Sequence, residues 1–200
     1  MEDRTNGISM EVLKEAVLRA GRMPQNAEED CVRLALIDTP LGSLVAGAVR
    51  EGLCLLEYAD PRALESRLQA LGKRFGLPLF VAESPVFSRL RKELTEYFSG
   101  SRTAFDVPLV LKGSEFQERT WRELWEIPCG ATISYADLAR RIGSPKACRA
   151  VGRANGLNPI AILVPCHRVV NADGRMGGYS GGLWRKQALL EREQAVRAST

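Results

Sequence analysis

The sequence is poor in the residues that build metal sites and disulfide frameworks. Histidine occurs once, at position 167, and the five cysteines include no C-x-x-C pair. Zinc sites in proteins draw most of their four ligands from cysteine and histidine. The odd cysteine count favours reduced thiols over a disulfide framework. We therefore expect no bound metal and no cofactor.

Long apolar runs and targeting patterns are also lacking. No apolar run approaches the roughly 18 residues of a membrane-spanning helix. The first residues, MEDRTNGISMEV, do not show the basic-then-apolar pattern of a secretion signal. These absences predict a cytoplasmic protein with no membrane partner. A chain of 200 residues can form one large or two small domains.

Charge is distributed unevenly along the chain. Residues 111–200 carry 14 Lys and Arg against 8 Asp and Glu, whereas residues 1–110 carry 14 against 16. Between Leu138 and Ala172 there is no acidic residue. The basic residues of that stretch are Arg140, Arg141, Lys146, Arg149, Arg153 and Arg168. A solvated basic face and a surface for a polyanion fit this pattern equally well.

The first half of the chain reads as a scaffold without a reactive cluster. Residues 1–30 predict an extension with a short helix capped by Ser9. Residues 31–110 predict three strands (VRLALID, GSLVAGAV and LCLLEYA), then helices within 61–75 and 85–98, then a connector. The expected fold class is α+β, with a small N-terminal α/β domain that holds a three-stranded sheet and helices.

The second half, residues 111–200, predicts a mostly helical, winged-helix-like domain. Ser114 and Gln117 form a capping box that opens a helix, in which Trp121 and Trp125 are predicted to be core. The stretch IAILV predicts a buried strand that ends at a proline and a cysteine, and the last helix is expected over 183–195.

Two short helices in this half predict a helix-turn-helix. Ser134 caps YADLARRI, and Ser144 caps PKACRAVGRANGL with Pro145 at its first position. Gly143 makes the turn between them. Such pairs also occur in ordinary helical proteins, but the overlap with the basic stretch favours DNA binding.

The hexapeptide PCHRVV, residues 165–170, places the only histidine directly after a cysteine. A cysteine attacks as the thiolate, which needs a neighbouring base or a positive field. Glu193, in the last predicted helix, could orient the imidazole and complete a Cys–His–Glu relay. The alternative is that Cys166 is an inert buried thiol, the commoner fate of a free cysteine.

Four segments together resemble one known family. IPCG-(x)3-SYADLA, GSPKACRAVGRANGLNP, ILVPCHRVV and GGYSGGLWRKQALLERE are similar to the methylated-DNA–protein-cysteine methyltransferases, also called O6-alkylguanine-DNA alkyltransferases. The resemblance covers residues 114–193, and more loosely 31–110. It implies a monomeric DNA repair protein that flips O6-alkylguanine, or O4-methylthymine, out of double-stranded DNA. The alkyl group would pass irreversibly to a cysteine, once per molecule.

The resemblance implies a role for each reactive residue. Cys166 would accept the alkyl group. His167 would remove the thiol proton through a water, and Glu193 would hold the imidazole. Tyr135 would contact the flipped base and give a proton to the leaving guanine. Asn158 would support the chain that carries the cysteine.

The same resemblance implies which residues form the substrate pocket. Tyr179 and Ser180 would wall it, and the backbone N–H of Ser180 would point towards O6. The carbonyls of Cys166 and Val169 would accept from the exocyclic amine of the base. Ala161 stands where some relatives carry proline in the pocket wall.

A DNA-binding helix is implied as well. Arg149 would fill the gap that the flipped nucleotide leaves, from the minor-groove side. Small residues would let the helix approach closely, and further basic residues would contact phosphates. The other members of this DNA-binding set are Lys146, Ala150, Gly152, Arg153 and Ala154.

Two other classes of function stay open from the residues. A non-catalytic protein could recognise alkylated bases without repairing them, although the cysteine counts against this. A thiol hydrolase could use the same Cys–His pair, and it would turn over many times rather than once.

Overall fold

The computed structural model describes residues 8–21 and 30–198, so parts of the predicted extension, residues 1–7 and 22–29, lie outside the described residues. The chain divides into two compact units. The first unit runs up to Phe98 and includes Asp106–Lys112, and the second comprises Ser99–Phe105 and the chain from Gly113 onwards.

The first unit is built on a four-stranded sheet. Its strands are β1 (Val32–Ile37), β2 (Leu44–Val49), β3 (Gly52–Tyr58) and β4 (Leu79–Val81), in the order β3-β2-β1-β4. The first three pair antiparallel, and β4 adds parallel to β1. The three predicted strands are confirmed. The predicted number of three is wrong because β4 is only three residues long, too short for an alternating pattern to show.

The described residues of the first unit form α1 (Met10–Ala20), α2 (Leu64–Phe75) and all but the last residue of α3 (Pro85–Ser99). Ser9 caps α1 as predicted, because its hydroxyl accepts from the Val12 N–H at 3.3 Å. The buried side chains of α1 are Leu13, Ala16 and Val17, and they share one apolar core with the sheet and α2. The described part of the extension therefore packs as an integral helix of this unit.

The second unit is mostly helical. Its elements are α4 (Glu115–Trp125), β5 (Ile133–Ser134), α5 (Tyr135–Arg141), α6 (Cys148–Gly156), a 3₁₀ turn (Cys166–Arg168), β6 (Val169–Val170) and α7 (Leu183–Ala198). The two short strands β5 and β6 pair in parallel. Helices α5 and α6, separated by a turn at Gly143, form the predicted helix-turn-helix.

Helix α4 begins where predicted, but only one of its two tryptophans is a core residue. Ser114 and Gln117 form the reciprocal capping box. Trp121 is fully buried, and its indole N–H donates to the carbonyl of Ala154 at 2.8 Å, which joins α4 to α6. Trp125 is 42% exposed, so its prediction as a core residue is wrong. It is the last residue of α4, beyond the buried stripe of that helix.

Two further boundaries differ from the prediction. Helix α6 begins at Cys148 rather than Pro145. Residues 144–147 form a separate turn, in which the N–H of Ala147 donates to the main-chain carbonyl of Ser144. IAILV is buried as expected but is not a strand. Within it Ile162 has φ of 70°, a left-handed conformation that an extended strand cannot contain.

Candidate active site and DNA-binding helix

Asn158 holds the buried turn that delivers Cys166. Its side-chain N–H groups donate to the carbonyls of Val164 at 2.7 Å and Ile160 at 3.2 Å, and its oxygen accepts from the Ile160 N–H at 3.0 Å. The left-handed backbone of Ile162 lies inside this turn, and such strain in a β-branched residue costs about 1–3 kcal/mol. Asn158 therefore stabilises a conformation that the chain would not adopt alone.

Cys166 opens the 3₁₀ turn at the end of this segment. It is only 4% exposed, and its N–H donates to the carbonyl of Val164 at 2.8 Å. Its carbonyl accepts from the N–H of Val169 and, at 3.4 Å, from the side chain of Asn155. The backbone that carries the thiol is thus fixed from both sides.

His167, the residue after Cys166, forms a buried pair with Glu193 of α7. Nε2 of His167 lies 2.9 Å from Oε1 of Glu193, and both side chains are buried. Nδ1 of His167 has no hydrogen-bond partner among the described residues. With Nε2–H donating to the carboxylate, Nδ1 is the ring atom left to accept a proton.

Arg168 completes the network, a role that sequence reasoning missed. Its guanidinium donates to both carboxylate oxygens of Glu193, at 2.9 Å and 2.8 Å, and to the carbonyl of Ile127. The N–H of Gly130 also donates to Glu193, at 3.1 Å. Arg168 is buried, so its assignment to the basic surface stretch is wrong: its charge is neutralised inside the fold.

Burial and hydrogen bonding set the charge states of this network. Burial would raise the pKa of Glu193, but hydrogen bonds from His167 and Arg168 outweigh it and hold the pKa well below its usual range. Burial lowers the pKa of His167, against the opposing effect of Glu193. At neutral pH the carboxylate is therefore charged and the imidazole is neutral, the form that can act as a base.

The pairing of β5 with β6 brings Tyr135 towards the same site. Ser134 pairs with Val170, and Ser134 also caps α5, of which Tyr135 is the first residue. Burial raises the pKa of Tyr135, with further contributions from Cys166 and Cys148. The phenol therefore stays protonated at neutral pH and can donate a proton.

The loop between β6 and α7 approaches that phenol closely. A Cβ atom on Gly177 would lie 2.7 Å from the hydroxyl oxygen of Tyr135, so a side chain there would displace the phenol. Further along this loop, Tyr179 is half-buried and Ser180 is exposed. The main-chain carbonyl of Tyr179 accepts from the N–H of Gly182 at 3.0 Å.

The remaining predicted pocket residues are buried. Ala161 lies in the turn before Cys166, and Val169 follows the 3₁₀ turn. The carbonyl of Val169 accepts from the ammonium of Lys186 at 2.6 Å. Sequence reasoning missed Lys186, although its spacing from Leu189 and Glu193 follows the buried face of α7.

Helix α6 presents a basic, small-residue face to solvent. Arg149, Ala150 and Arg153 are exposed, as is Lys146 just before the helix, and Gly152 lies half-buried with its Cα towards the Tyr135 ring. The prediction for Ala154 is wrong. It belongs with Val151 and Asn155 to the buried stripe of α6, where it cannot contact DNA.

The other cysteines offer a contrast with Cys166. Burial raises the pKa of Cys54 to about 12, so that thiol is inert, and Cys148 is exposed at the start of α6.

In the part of the chain that the structure describes, no group of three or more His, Cys, Asp and Glu side chains is placed to hold a metal ion. None of the described helices is long and apolar enough to cross a membrane.

The second unit combines a helix-turn-helix with a buried thiol next to a His–Glu pair. This combination is typical of one class of protein, the cysteine-dependent transferases that act on DNA. Two family models match the chain. The model for the DNA binding domain of 6-O-methylguanine DNA methyltransferase matches residues 115–195, and that for its ribonuclease-like domain matches residues 32–111. The chain belongs to the 6-O-methylguanine DNA methyltransferase family.

Similar proteins come from bacteria and archaea. The methylated-DNA–protein-cysteine methyltransferase of Mycolicibacterium paratuberculosis is 56% identical over 79% of this chain and 90% of its own length. That of Methanosarcina acetivorans is 39% identical over 80% of this chain and 96% of its own. The solved structure of Mycobacterium tuberculosis OGT in complex with DNA matches with a TM-score of 0.69 and 41% identity, over 82% of this chain and 94% of that one.

Proposed function

We propose that this protein repairs DNA by transferring the alkyl group of O6-alkylguanine to Cys166, once per molecule. The observation that carries the proposal is the geometry around the thiol. Cys166 opens a fixed 3₁₀ turn whose next residue, His167, is a buried neutral imidazole held by an ionised Glu193. The same unit carries the exposed basic helix α6.

The residues of this site account for every proton moved and every bond formed or broken in the transfer step. His167 takes the thiol proton at Nδ1 through a water, and the imidazolium is stabilised by Glu193. The sulfur of Cys166 forms a bond to the alkyl carbon while the bond from that carbon to O6 breaks. Tyr135 donates a proton to the leaving guanine and regains one from the imidazolium through solvent. The products are guanine and a thioether.

Base flipping is required because Cys166 is buried and cannot reach a base inside a stacked duplex. Arg149 enters the stack in place of the extruded nucleotide. Lys146 and Arg153 contact phosphates, and Ala150 and Gly152 allow close approach of α6 to the minor groove. Binding of this kind depends on the DNA backbone more than on base sequence.

The flipped base lies between the Cys166 turn and the loop that contains Tyr179 and Ser180. The carbonyls of Cys166 and Val169 accept from its exocyclic amine, and the backbone N–H of Ser180 donates to O6. The Val169 carbonyl accepts one hydrogen bond, from Lys186, and a carbonyl oxygen has two lone pairs, so it can accept a second. The Cys166 carbonyl already accepts from Val169 and Asn155, so the base amine replaces the long 3.4 Å bond from Asn155. Ala161 forms part of the pocket wall.

The substrate range and the working state are part of the proposal. O6-methylguanine is the main substrate and O4-methylthymine a second one. The protein acts as a monomer, because all the groups named for the reaction belong to one unit of one chain. It works in the cytoplasm without metal or cofactor.

Intact-mass spectrometry tests the proposal. Incubation with a duplex that contains O6-methylguanine should add one methyl, about 14 Da, to a peptide with Cys166, since a thioether has no leaving path. Cys166→Ser should abolish the addition, and the exposed control Cys148→Ser should keep it. Product beyond one equivalent of protein would indicate a hydrolase, and binding without transfer would indicate a recognition protein.

A further inference from the structure

Lys186 is a buried cation for which the proposed transfer chemistry has no use. Its side chain is fully buried on α7, a state that lysine almost never adopts without a partner. The ammonium donates to the carbonyl of Val169 at 2.6 Å, and the carbonyl of Gly177 lies 3.5 Å away, at the long limit of a hydrogen bond. Burial lowers the pKa of Lys186, and nearby Cys166 opposes this. Both acceptors found for it among the described residues are main-chain oxygens.

These two carbonyls belong to different segments of the site. Val169 follows the 3₁₀ turn, and its N–H donates to the carbonyl of Cys166. Gly177 belongs to the loop before α7, at the point where that loop lies against the hydroxyl of Tyr135. One ammonium therefore ties the segment that carries the thiol to the loop that packs on the phenol.

We propose that Lys186 is a positioning residue that sets how the pocket reads the edge of the flipped base. It orients the Val169 carbonyl and holds the 177–181 loop against Tyr135. This inference rests on the proposed function, because it names a further residue of the same site. Lys186 itself touches neither the alkyl group nor the thiol in this role.

The consequence for specificity follows from the geometry of the carbonyl. The Lys186 ammonium binds the Val169 oxygen, so one lone pair of that oxygen remains, and in this proposal it accepts from the base. A fixed acceptor stabilises the complex with a base that carries an exocyclic amine. It destabilises the complex with a base that lacks the amine, because the buried oxygen is then left without a partner. Without the ammonium the Val169 oxygen is less firmly oriented, and the discrimination weakens.

The experiment compares two lesions that differ only in this amine. Single-turnover transfer is measured from duplexes that contain O6-methylguanine or O6-methylhypoxanthine, which lacks the 2-amino group. The wild-type protein should prefer O6-methylguanine by about tenfold or more. Lys186→Met keeps the length and apolar stem of the side chain and removes the donor. It should lower the rate on O6-methylguanine and reduce the ratio of the two rates severalfold, while the Cys166 carbonyl retains part of the preference.

The control is Gln187→Met, an exposed neighbour on the same helix whose amide donates to Glu191. It should leave both rates and their ratio unchanged. If Lys186→Met slows both substrates equally, Lys186 acts on the fold or the charge of the site, and the positioning role is refuted. If the wild-type protein transfers from neither substrate, the proposed function fails instead.

A second variant and a measurement on the wild-type protein cover the case in which Lys186→Met does not fold. Lys186→Gln retains a donor on a shorter side chain and should give an intermediate ratio. In the wild-type protein, nuclear magnetic resonance of ¹⁵N-labelled lysine should show Lys186 ammonium protons that exchange more slowly than those of the exposed Lys146. Exchange of Lys186 as fast as that of Lys146 would overturn the proposal.

Discussion

The imidazole of His167 and the carboxylate of Glu193 meet with 2.9 Å between Nε2 and Oε1, although 26 positions separate them in the chain. The bond fixes the tautomer of the imidazole and leaves Nδ1 as its basic atom. Glu193 also accepts from Arg168 and from the N–H of Gly130. One carboxylate thus orients the base and supports the turn that carries the thiol.

The first prediction is that His167 and Glu193 act as one catalytic unit. His167→Ala should slow single-turnover transfer about 100-fold or more, within the range for loss of a general base. Glu193→Gln should slow it less, because the imidazole stays in place without its counter-charge. The double variant should be little slower than His167→Ala alone. Multiplied losses, measured on protein shown to be folded by circular dichroism, would mean that the two residues act independently.

Glu193→Gln should also destabilise the fold, which the role of the carboxylate in catalysis does not require. The substitution leaves the buried guanidinium of Arg168 without its counter-charge. Breaking one side of a buried ion pair costs about 3–5 kcal/mol. Urea unfolding followed by circular dichroism measures the loss. His167→Ala keeps the Arg168–Glu193 pair, so a loss as large as that of Glu193→Gln would contradict this explanation.

A pH dependence follows from the lowered pKa of His167. Burial moves the pKa below its ordinary value of 6.5, so the folded protein resists a proton that the unfolded chain accepts. Stability should therefore be unaffected by His167 above about pH 6.5 and should fall as the pH drops below that value. Thermal unfolding between about pH 7.5 and 5 measures the fall. His167→Gln should remove this part of the dependence, and an unchanged profile would contradict the neutral, buried state of the imidazole.

The sequence predicted which residues meet at this site better than it predicted their surroundings. Local patterns and motifs predicted the caps at Ser114 and Ser134 and the grouping of Cys166, His167 and Glu193. The structure places the last three residues in one unit, with His167 bonded to Glu193. Arg168 and Lys186 were missed because a basic side chain normally predicts exposure. Their burial depends on partners that lie far away in the chain, the carboxylate of Glu193 and the carbonyl of Val169.

Arg149 should matter for duplex substrates and not for the chemistry itself. Its side chain is exposed on α6, and in the proposed complex it only fills the base stack. Arg149→Ala should slow transfer from duplex about tenfold or more and leave transfer from the free base O6-methylguanine unchanged. Arg153→Ala, on the same helix, is the matched control and should weaken DNA binding with a smaller effect on the transfer step. Equal slowing of both substrates by Arg149→Ala would place its effect on the pocket or the fold.

Binding to unmodified duplex should weaken steeply as salt rises. Arg140, Lys146, Arg149 and Arg153 are exposed basic residues on and around the helix-turn-helix, and each phosphate contact releases about 0.9 counterions. Lys146→Ala should reduce the slope of the logarithm of the binding constant against the logarithm of salt concentration by about one. Arg19→Ala, an exposed change in the first unit, should leave the slope unchanged. A flat salt response in the wild-type protein would show that this face does not bind DNA.

The last prediction concerns Asn158, which supports the turn before Cys166 through three hydrogen bonds to Ile160 and Val164. Asn158→Ala removes all three and leaves buried main-chain groups unpaired, which should cost about 2–4 kcal/mol. Asn158→Asp keeps the acceptor for the Ile160 N–H and loses both donors. It adds a buried charge that two carbonyl oxygens face, so it should be no more stable than Asn158→Ala. Urea unfolding compares the two variants.

The left-handed backbone of Ile162 should relax in both variants, and the thiol should then lose its alignment with His167. Transfer from the free base should therefore slow as well as transfer from duplex, unlike the result expected for Arg149→Ala. Normal rates on the free base, in protein that is still folded, would show that the turn positions Cys166 without help from Asn158.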